Sequence, residues 1–211
     1  MQSFRFQNPT AIIFGKGKLD ELGDQLVRHN AGKVLLVYGG GSIKKNGIYD
    51  RVIRQLDEAR IPYFELAGVE PNPRVSTVRK GIQLCREHGI DFILAVGGGS
   101  VLDAVKAVAV GVPYEGDVWD ILMRKARIKS ALPIGTVLTI SATGSEMNGN
   151  AVITNWEEKL KKSFGSIHAF PRFSILDPTL TFTVPKDQTV NGIVDMMSHV
   201  FEQYFRQTTD T

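Results

Sequence analysis

Asp195 and His199 stand four residues apart in the segment that follows Val184-Pro185. If that segment is helical, as its spacing predicts, both side chains project to one side, one turn apart. A carboxylate oxygen and an imidazole nitrogen so placed suit a single divalent cation. The same spacing also describes a local ion pair on a solvated helix face. Two donors fall short of the three or four protein groups that hold a metal firmly, so half of any metal site lies elsewhere. His29, His88 and His168 are not evidently paired with them. His29 and His88 sit near predicted helix C-termini, where positive charge is favoured anyway.

A second chemistry is written in glycine. Gly39-Gly40-Gly41-Ser42 and Gly97-Gly98-Gly99-Ser100 each follow a continuous apolar run. Glycine allows a backbone to approach a phosphate closely, and a helix opening just after it presents free N–H groups to the anion. Turns between strands and helices use glycine for geometry alone, so one triplet is weak and two at equivalent strand ends are stronger. Neither fits the dinucleotide fingerprint G-x-G-x-x-G, because Leu102 stands where its third glycine belongs, and no Gly-Lys-Ser/Thr triplet forms a P-loop. Ser100 and Asp103 add polar groups near the start of the second helix. Asp103 also reads as a helix-start carboxylate favoured by the dipole. Thr139, Ser141, Thr143 and Ser145 supply hydroxyls for a ribose or carboxamide, or for capping turns.

The elements that must position these residues alternate. Phe4 and Phe6, then Thr10, Ile12 and Phe14, predict two short strands broken at Asn8-Pro9, and Leu19, Leu22, Leu26 and Val27 predict a helix. Val34–Tyr38 and Phe92–Val96 are uniformly apolar, as in parallel strands covered on both faces. Between them lie a helix through Ile48, Val52, Ile53 and Leu56, a strand at Tyr63–Leu66 and a helix from Val75 to His88. A helix through Val101, Val105, Val108 and Ala109 follows, then a strand within Leu132–Ile140. A hairpin around Trp156–Lys159 and a strand at Phe173–Leu176 complete the pattern. Alternation at this spacing predicts an α/β, Rossmann-like parallel sheet with flanking helices over residues 1–185. Residues 186–211 then begin a helical unit. Its apolar stripe is Val190, Ile193, Val194, Met197, Phe201 and Tyr204, with Asp195, His199 and Glu202 opposite.

Composition narrows the class. The 211 residues are 43% hydrophobic and 22% charged, which excludes disordered and collagen-like chains. A net charge of +3 is too small to argue for nucleic acid. The single cysteine, Cys85, fits a reducing compartment. No run of roughly 18 apolar residues and no signal peptide is seen. The expectation is a soluble cytoplasmic protein that does not engage membranes.

Five segments occur in one order: Phe14-Gly15-Lys16-Gly17, Gly68-Val69-Glu70-Pro71-Asn72-Pro73, Gly97-Gly98-Gly99-Ser100-x-x-Asp103, Ala142-Thr143-Gly144-Ser145-Glu146 and Asp195-x-x-x-His199. Together they resemble the iron-containing alcohol dehydrogenase family, in its butanol dehydrogenase and aldehyde reductase branch, over essentially the whole chain. The resemblance implies a dehydroquinate synthase-like NAD(P) domain followed by an all-helical one. It also implies hydride transfer between the nicotinamide and a carbonyl held by Fe²⁺ or Zn²⁺, with Asp195 and His199 as metal ligands. By the same resemblance Gly97, Gly98, Gly99 and Ser100 cradle the pyrophosphate and Asp103 anchors that turn. Thr139, Thr143, Asn148 and Lys161 lie along the cofactor. Family members add two histidines from the helical domain, so the chain is expected to be an N-terminal piece without dehydrogenase turnover. A homodimer through the N-terminal strands is expected of the intact enzyme.

The choice of cofactor has a physical argument. NAD-preferring enzymes place a carboxylate beyond the second strand, where it repels a 2′-phosphate. Here Tyr38 is followed by Gly39, Gly40, Gly41, Ser42, Ile43, Lys44 and Lys45, with no acid expected in reach. Backbone N–H groups at Gly39 and Gly40, the Ser42 hydroxyl and two lysines therefore favour NADP(H) over NAD(H). Two other readings remain: a dehydroquinate synthase-type lyase, which uses NAD and zinc, and a nucleotide-binding module without chemistry.

Overall fold

Six short strands lie side by side, each hydrogen-bonded to its neighbours in parallel. The structure, a computed structural model, describes residues 3, 5 and 7–206. In chain order the strands are β1 (Ala11–Phe14), β2 (Val34–Tyr38), β3 (Tyr63–Leu66), β4 (Phe92–Gly97), β5 (Ile134–Leu138) and, after the antiparallel hairpin β6 (Asn150–Asn155) and β7 (Leu160–Gly165), β8 (Phe173–Leu176). The spatial order is β1-β8-β5-β4-β2-β3. The helices are α1 (Leu22–Arg28), α2 (Ser42–Lys45), α3 (Ile48–Glu58), α4 (Val75–His88), α5 (Gly99–Gly111), α6 (Val118–Leu122) and α7 (Lys186–Phe205).

The central strands are buried on both faces, which is why β2 and β4 read as unbroken apolar runs; β5 is as deeply buried, and its one polar side chain, Thr136, donates to Ser174 Oγ at 2.7 Å. On one face Leu35, Val37, Ile93 and Ala95 pack against α4, α5 and α6. On the other, Leu36, Tyr38, Leu94 and Val96 pack against α1, α2 and α3. The helices after β2 therefore lie on one side of the sheet, and the helix after β4 on the other. β2 and β4 are neighbours, so their outgoing connections diverge, and such a switch point opens a crevice at the carboxyl ends of the strands. The two glycine turns occupy its two walls.

Several expectations shift in detail. Phe4 and Phe6, proposed for a first strand, lie outside the described residues. Val27 is exposed rather than part of the helix face, whereas Leu19, Leu22 and Leu26 are fully buried. The strand predicted within Leu132–Ile140 contracts to β5. Leu132 N donates to Ala109 O at the end of α5, and Pro133 has no N–H to offer, so pairing starts one residue later. α5 is apolar nearly all round and buried nearly all round, between the sheet, α4 and the hairpin. α7 is the opposite case: it buries no residue, and its apolar stripe and its Asp195–His199 side are both exposed.

Candidate functional site

The glycines on the β2 side are open. A Cβ built on Gly40 meets nothing within 4 Å, and Gly41 has φ +102°, a left-handed conformation that only glycine adopts cheaply. Gly39 sits deeper, with its Cβ position 3.4 Å from Val69 O and 3.9 Å from the Val101 side chain at the start of α5. The β4 side is close-packed. A Cβ on Gly97 falls 2.6 Å from Val101 Cγ2, one on Gly98 collides with Ile140, and one on Gly99 lies 2.5 Å from Thr143 Oγ1. The second triplet thus has a packing reason of its own, and that same packing brings Thr143 over the beginning of α5.

No side chain caps α5. Val101 N and Leu102 N turn back to Gly98 O, which leaves the N–H groups of Gly99 and Ser100 without a partner among the described residues. A 13-residue helix with free donors at its N-terminus, at the bottom of a crevice, is suited to an anion such as a pyrophosphate. Gly97 to Ser100, Thr139 and Thr143 converge there, and Thr139 N donates to Gly97 O at 3.1 Å. Gly39, Gly40 and Ser42 form the facing wall. A depression of about 930 Å³ lies elsewhere, lined by Arg124, Arg127, Asn150, Ser163 and their neighbours beside the hairpin. The crevice is assigned by its free donors, not by its size.

The remaining sequence candidates are tied into the fold. Asp103 lies beyond the first turn of α5 and does not cap it. Its carboxylate accepts from Ser145 Oγ at 2.8 Å and from Val152 N at 3.0 Å, joining α5 to the loop after β5 and to β6. Burial raises its pKa, and those bonds pull in the other direction without cancelling the rise. Asn148 holds its own loop, donating to Gly144 O at 3.0 Å and accepting from Asn150 N at 2.9 Å. Lys161 is exposed on β7 and reaches Asn72 Oδ1 at 2.7 Å, linking the hairpin to the loop before α4.

Two groups escaped the sequence reading. Lys106 is fully buried in α5 and donates to Ser145, Asn148 and Asn150. A lone lysine in an otherwise apolar helix, three residues after Asp103, was the available signal. Glu65 is the other. The loop after β2 carries no acid, but Glu65 on β3 sits 3.9 Å from Lys44 Nζ and accepts from the hydroxyls of Tyr38 and Tyr49. Lys44 also lies over both tyrosine rings, at 5.1 and 4.4 Å from their centroids. The expectation that no acid lies in reach is corrected here: Lys44 is already engaged, and Ser42 and Lys45 are the free polar groups of that wall.

On α7, Asp195 Oδ2 and His199 Nε2 are 3.7 Å apart, and both side chains are exposed. Glu202 Oε2 lies 3.9 Å from His199 Nδ1. Among the described residues no third histidine, cysteine or carboxylate completes a metal cluster. His88 instead stacks on Phe64 and His29 on Phe173. The donor types and spacing suit a divalent metal, but they supply only part of its shell.

The model of the iron-containing alcohol dehydrogenases matches residues 9–178. The chain belongs to that family. It is 60% identical over its whole length to the probable NADH-dependent butanol dehydrogenase 1 of Bacillus subtilis (strain 168), and covers 54% of it. It is 45% identical to the NADPH-dependent aldehyde reductase YqhD of Escherichia coli (strain K12), again across the whole chain and 54% of the relative. The crystal structure of NADH-dependent butanol dehydrogenase A from Thermotoga maritima superimposes with a TM-score of 0.93 at 50% identity, over 97% of this chain and 52% of that one. The chain spans about half the length of the curated relatives it matches. Membership favours the alcohol dehydrogenase reading over the lyase that shares the fold. No helix among the described residues is long and apolar enough to cross a membrane.

Proposed function

We propose that this chain is the dinucleotide-binding part of a metal-dependent oxidoreductase that interconverts primary alcohols and aldehydes by hydride transfer with NADP(H). The observation that carries the reading is the uncapped N-terminus of α5 at the switch point, facing the open glycine wall after β2. The free N–H groups of Gly99 and Ser100 bind pyrophosphate oxygens, and Thr143 closes over them. Gly40 leaves room for the adenosine ribose. Asp195 and His199 hold Fe²⁺ or Zn²⁺ together with donors from outside these 211 residues. When bound, that metal supplies Lewis acidity to the carbonyl oxygen as negative charge develops on it. Turnover by the 211-residue chain alone is expected to be negligible, because it contributes two of the three or four protein donors a catalytic metal needs.

The names of the relatives divide between NADH and NADPH, so the preference is argued from the wall itself. The loop from Gly39 to Lys45 offers no carboxylate to a ribose 2′-hydroxyl, while Ser42 and Lys45 are exposed and uncommitted. Glu65, the nearby acid, is occupied by two tyrosines and Lys44. The expected result is a kcat/KM for NADPH at least roughly 10-fold above that for NADH, about 1.4 kcal/mol, with a simple aldehyde and the intact enzyme. A ratio of one or below contradicts NADP(H) preference. Absence of net NADPH oxidation with any simple aldehyde contradicts the oxidoreductase reading altogether.

A further inference from the structure

Among the described residues Lys106 is the fully buried cation. Its Nζ donates to Ser145 O and Ser145 Oγ, both at 2.7 Å, to Asn148 Oδ1 at 2.9 Å and to Asn150 O at 3.0 Å. An ammonium has three protons, so four acceptors saturate it. One turn earlier on the same helix Asp103 takes the Ser145 hydroxyl and the Val152 N–H. Two opposite charges on α5 therefore grip the segment from Ser145 to Val152 at both ends.

Desolvating an ammonium costs several kcal/mol, and an apolar side chain of similar volume fills such a place more cheaply. Packing alone therefore does not explain a lysine here. The gripped segment does. It continues directly from Thr143, whose hydroxyl accepts from Ser145 N at 3.3 Å and whose side chain stands over Gly99, next to the free N–H groups that open α5.

We infer that Lys106 is a positioning residue for the dinucleotide: clamped with Asp103, it sets the 143–150 segment at the height where Thr143 closes over the N-terminus of α5. The inference rests on the crevice being the dinucleotide site. It goes beyond that reading by making closure depend on a buried charge remote from the ligand. The charge is also labile. Burial pushes the Lys106 ammonium down to about 8, while Asp103 on α5 and Glu146 on the gripped segment push it back up. Lys161 on β7 faces Asp103 from the hairpin side. A group lowered in this way keeps its charge below about pH 8 and loses it above. The grip on the segment weakens on that alkaline side.

The test compares two probes by titration calorimetry. NADPH spans the crevice, whereas adenosine 2′-monophosphate, which has no 5′-phosphate, reaches only the Gly39–Ser42 wall. Lys106→Met is expected to weaken NADPH at least roughly 10-fold, as loss of one charged hydrogen-bond anchor implies, and to leave adenosine 2′-monophosphate unchanged. The unsubstituted protein is expected to lose NADPH affinity between about pH 7 and pH 9 with adenosine 2′-monophosphate unaffected, whereas Lys106→Met shows no such slope. Equal loss of both probes in Lys106→Met, with a lowered melting temperature, marks a folding defect, and the pH profile of the unsubstituted protein then decides. A flat profile, or unchanged NADPH binding by a folded Lys106→Met, overturns the inference. If the unsubstituted protein binds neither probe, the dinucleotide reading fails and this inference falls with it.

Discussion

Asp195→Ala in the intact enzyme is expected to lower bound metal well below one per chain and to reduce turnover by roughly 10³-fold or more. The geometry behind this is simple. Asp195 and His199 are one helical turn apart, with Oδ2 and Nε2 3.7 Å from each other, and neither is committed to a buried partner. Their exposed ion pair contributes little to stability, so the substitution removes the proposed metal donor with almost no folding penalty. A Lewis acid typically contributes several kcal/mol to stabilising a developing alkoxide, and about 4 kcal/mol corresponds to that loss of rate. Glu202→Ala is the control. Glu202 lies 3.9 Å from the other ring nitrogen of His199, so its loss affects orientation only, and an effect of a few-fold is expected. Metal content by mass spectrometry, measured alongside kcat, checks both. Full metal occupancy and normal turnover in Asp195→Ala would exclude it as a ligand.

Asp177→Ala is expected to destabilise the fold by about 3 kcal/mol, through lost hydrogen bonds to a buried carboxylate. Asp177 follows β8 and is buried, and it accepts from Gly17 N at 3.0 Å, Thr179 N at 3.0 Å and Thr179 Oγ1 at 2.7 Å. It thereby fastens the turn after β1 to the end of β8. Alanine leaves these half-buried donors without their carboxylate acceptor. For a domain of this size the melting temperature should fall by roughly 6–12 °C. The carboxyl also makes part of the stability depend on pH. Burial raises its pKa, but the bonds from Thr179, Leu19 and Gly17 together outweigh burial and hold it below the ordinary carboxylate range. Its contribution is complete above the unfolded value, near pH 4, and disappears as pH falls through the lower folded value. Urea denaturation between pH 7 and pH 3 should therefore show a narrowing gap between the native protein and Asp177→Ala. A gap that widens on acidification contradicts this.

Much of the framework was legible because parallel strands have a plain signature. Val34–Tyr38 and Phe92–Val96 are apolar throughout since helices cover both faces, and each ends at a glycine triplet. The hairpin was legible from its charged turn. The sidedness of the helices was not, because α3, α4 and α5 all read as apolar-faced helices, and only packing shows that they occupy different faces. Among the site residues, types and order pointed to the crevice, but contacts between distant segments did not emerge. Lys106 meets residues about 40 positions away. Glu65 meets tyrosines on either side of α2, one in β2 and one in α3. Periodicity reports which face a residue occupies, and these roles depend on which loop lies opposite. α7 shows the same limit from the other side. Its apolar spacing is plain in the sequence, yet the helix buries no residue among those described.

The proposed function requires a nicotinamide dinucleotide to lie across the crevice between the two glycine turns. Gly40→Val tests it most directly. A Cβ at Gly40 meets open space and the residue does not have positive φ, so the fold has no reason to change. The measurement is calorimetric affinity for NADPH beside the melting temperature. The expected result is an unaltered melting temperature and affinity weakened at least roughly 10-fold. Unaltered affinity in a folded Gly40→Val protein would place the dinucleotide somewhere else.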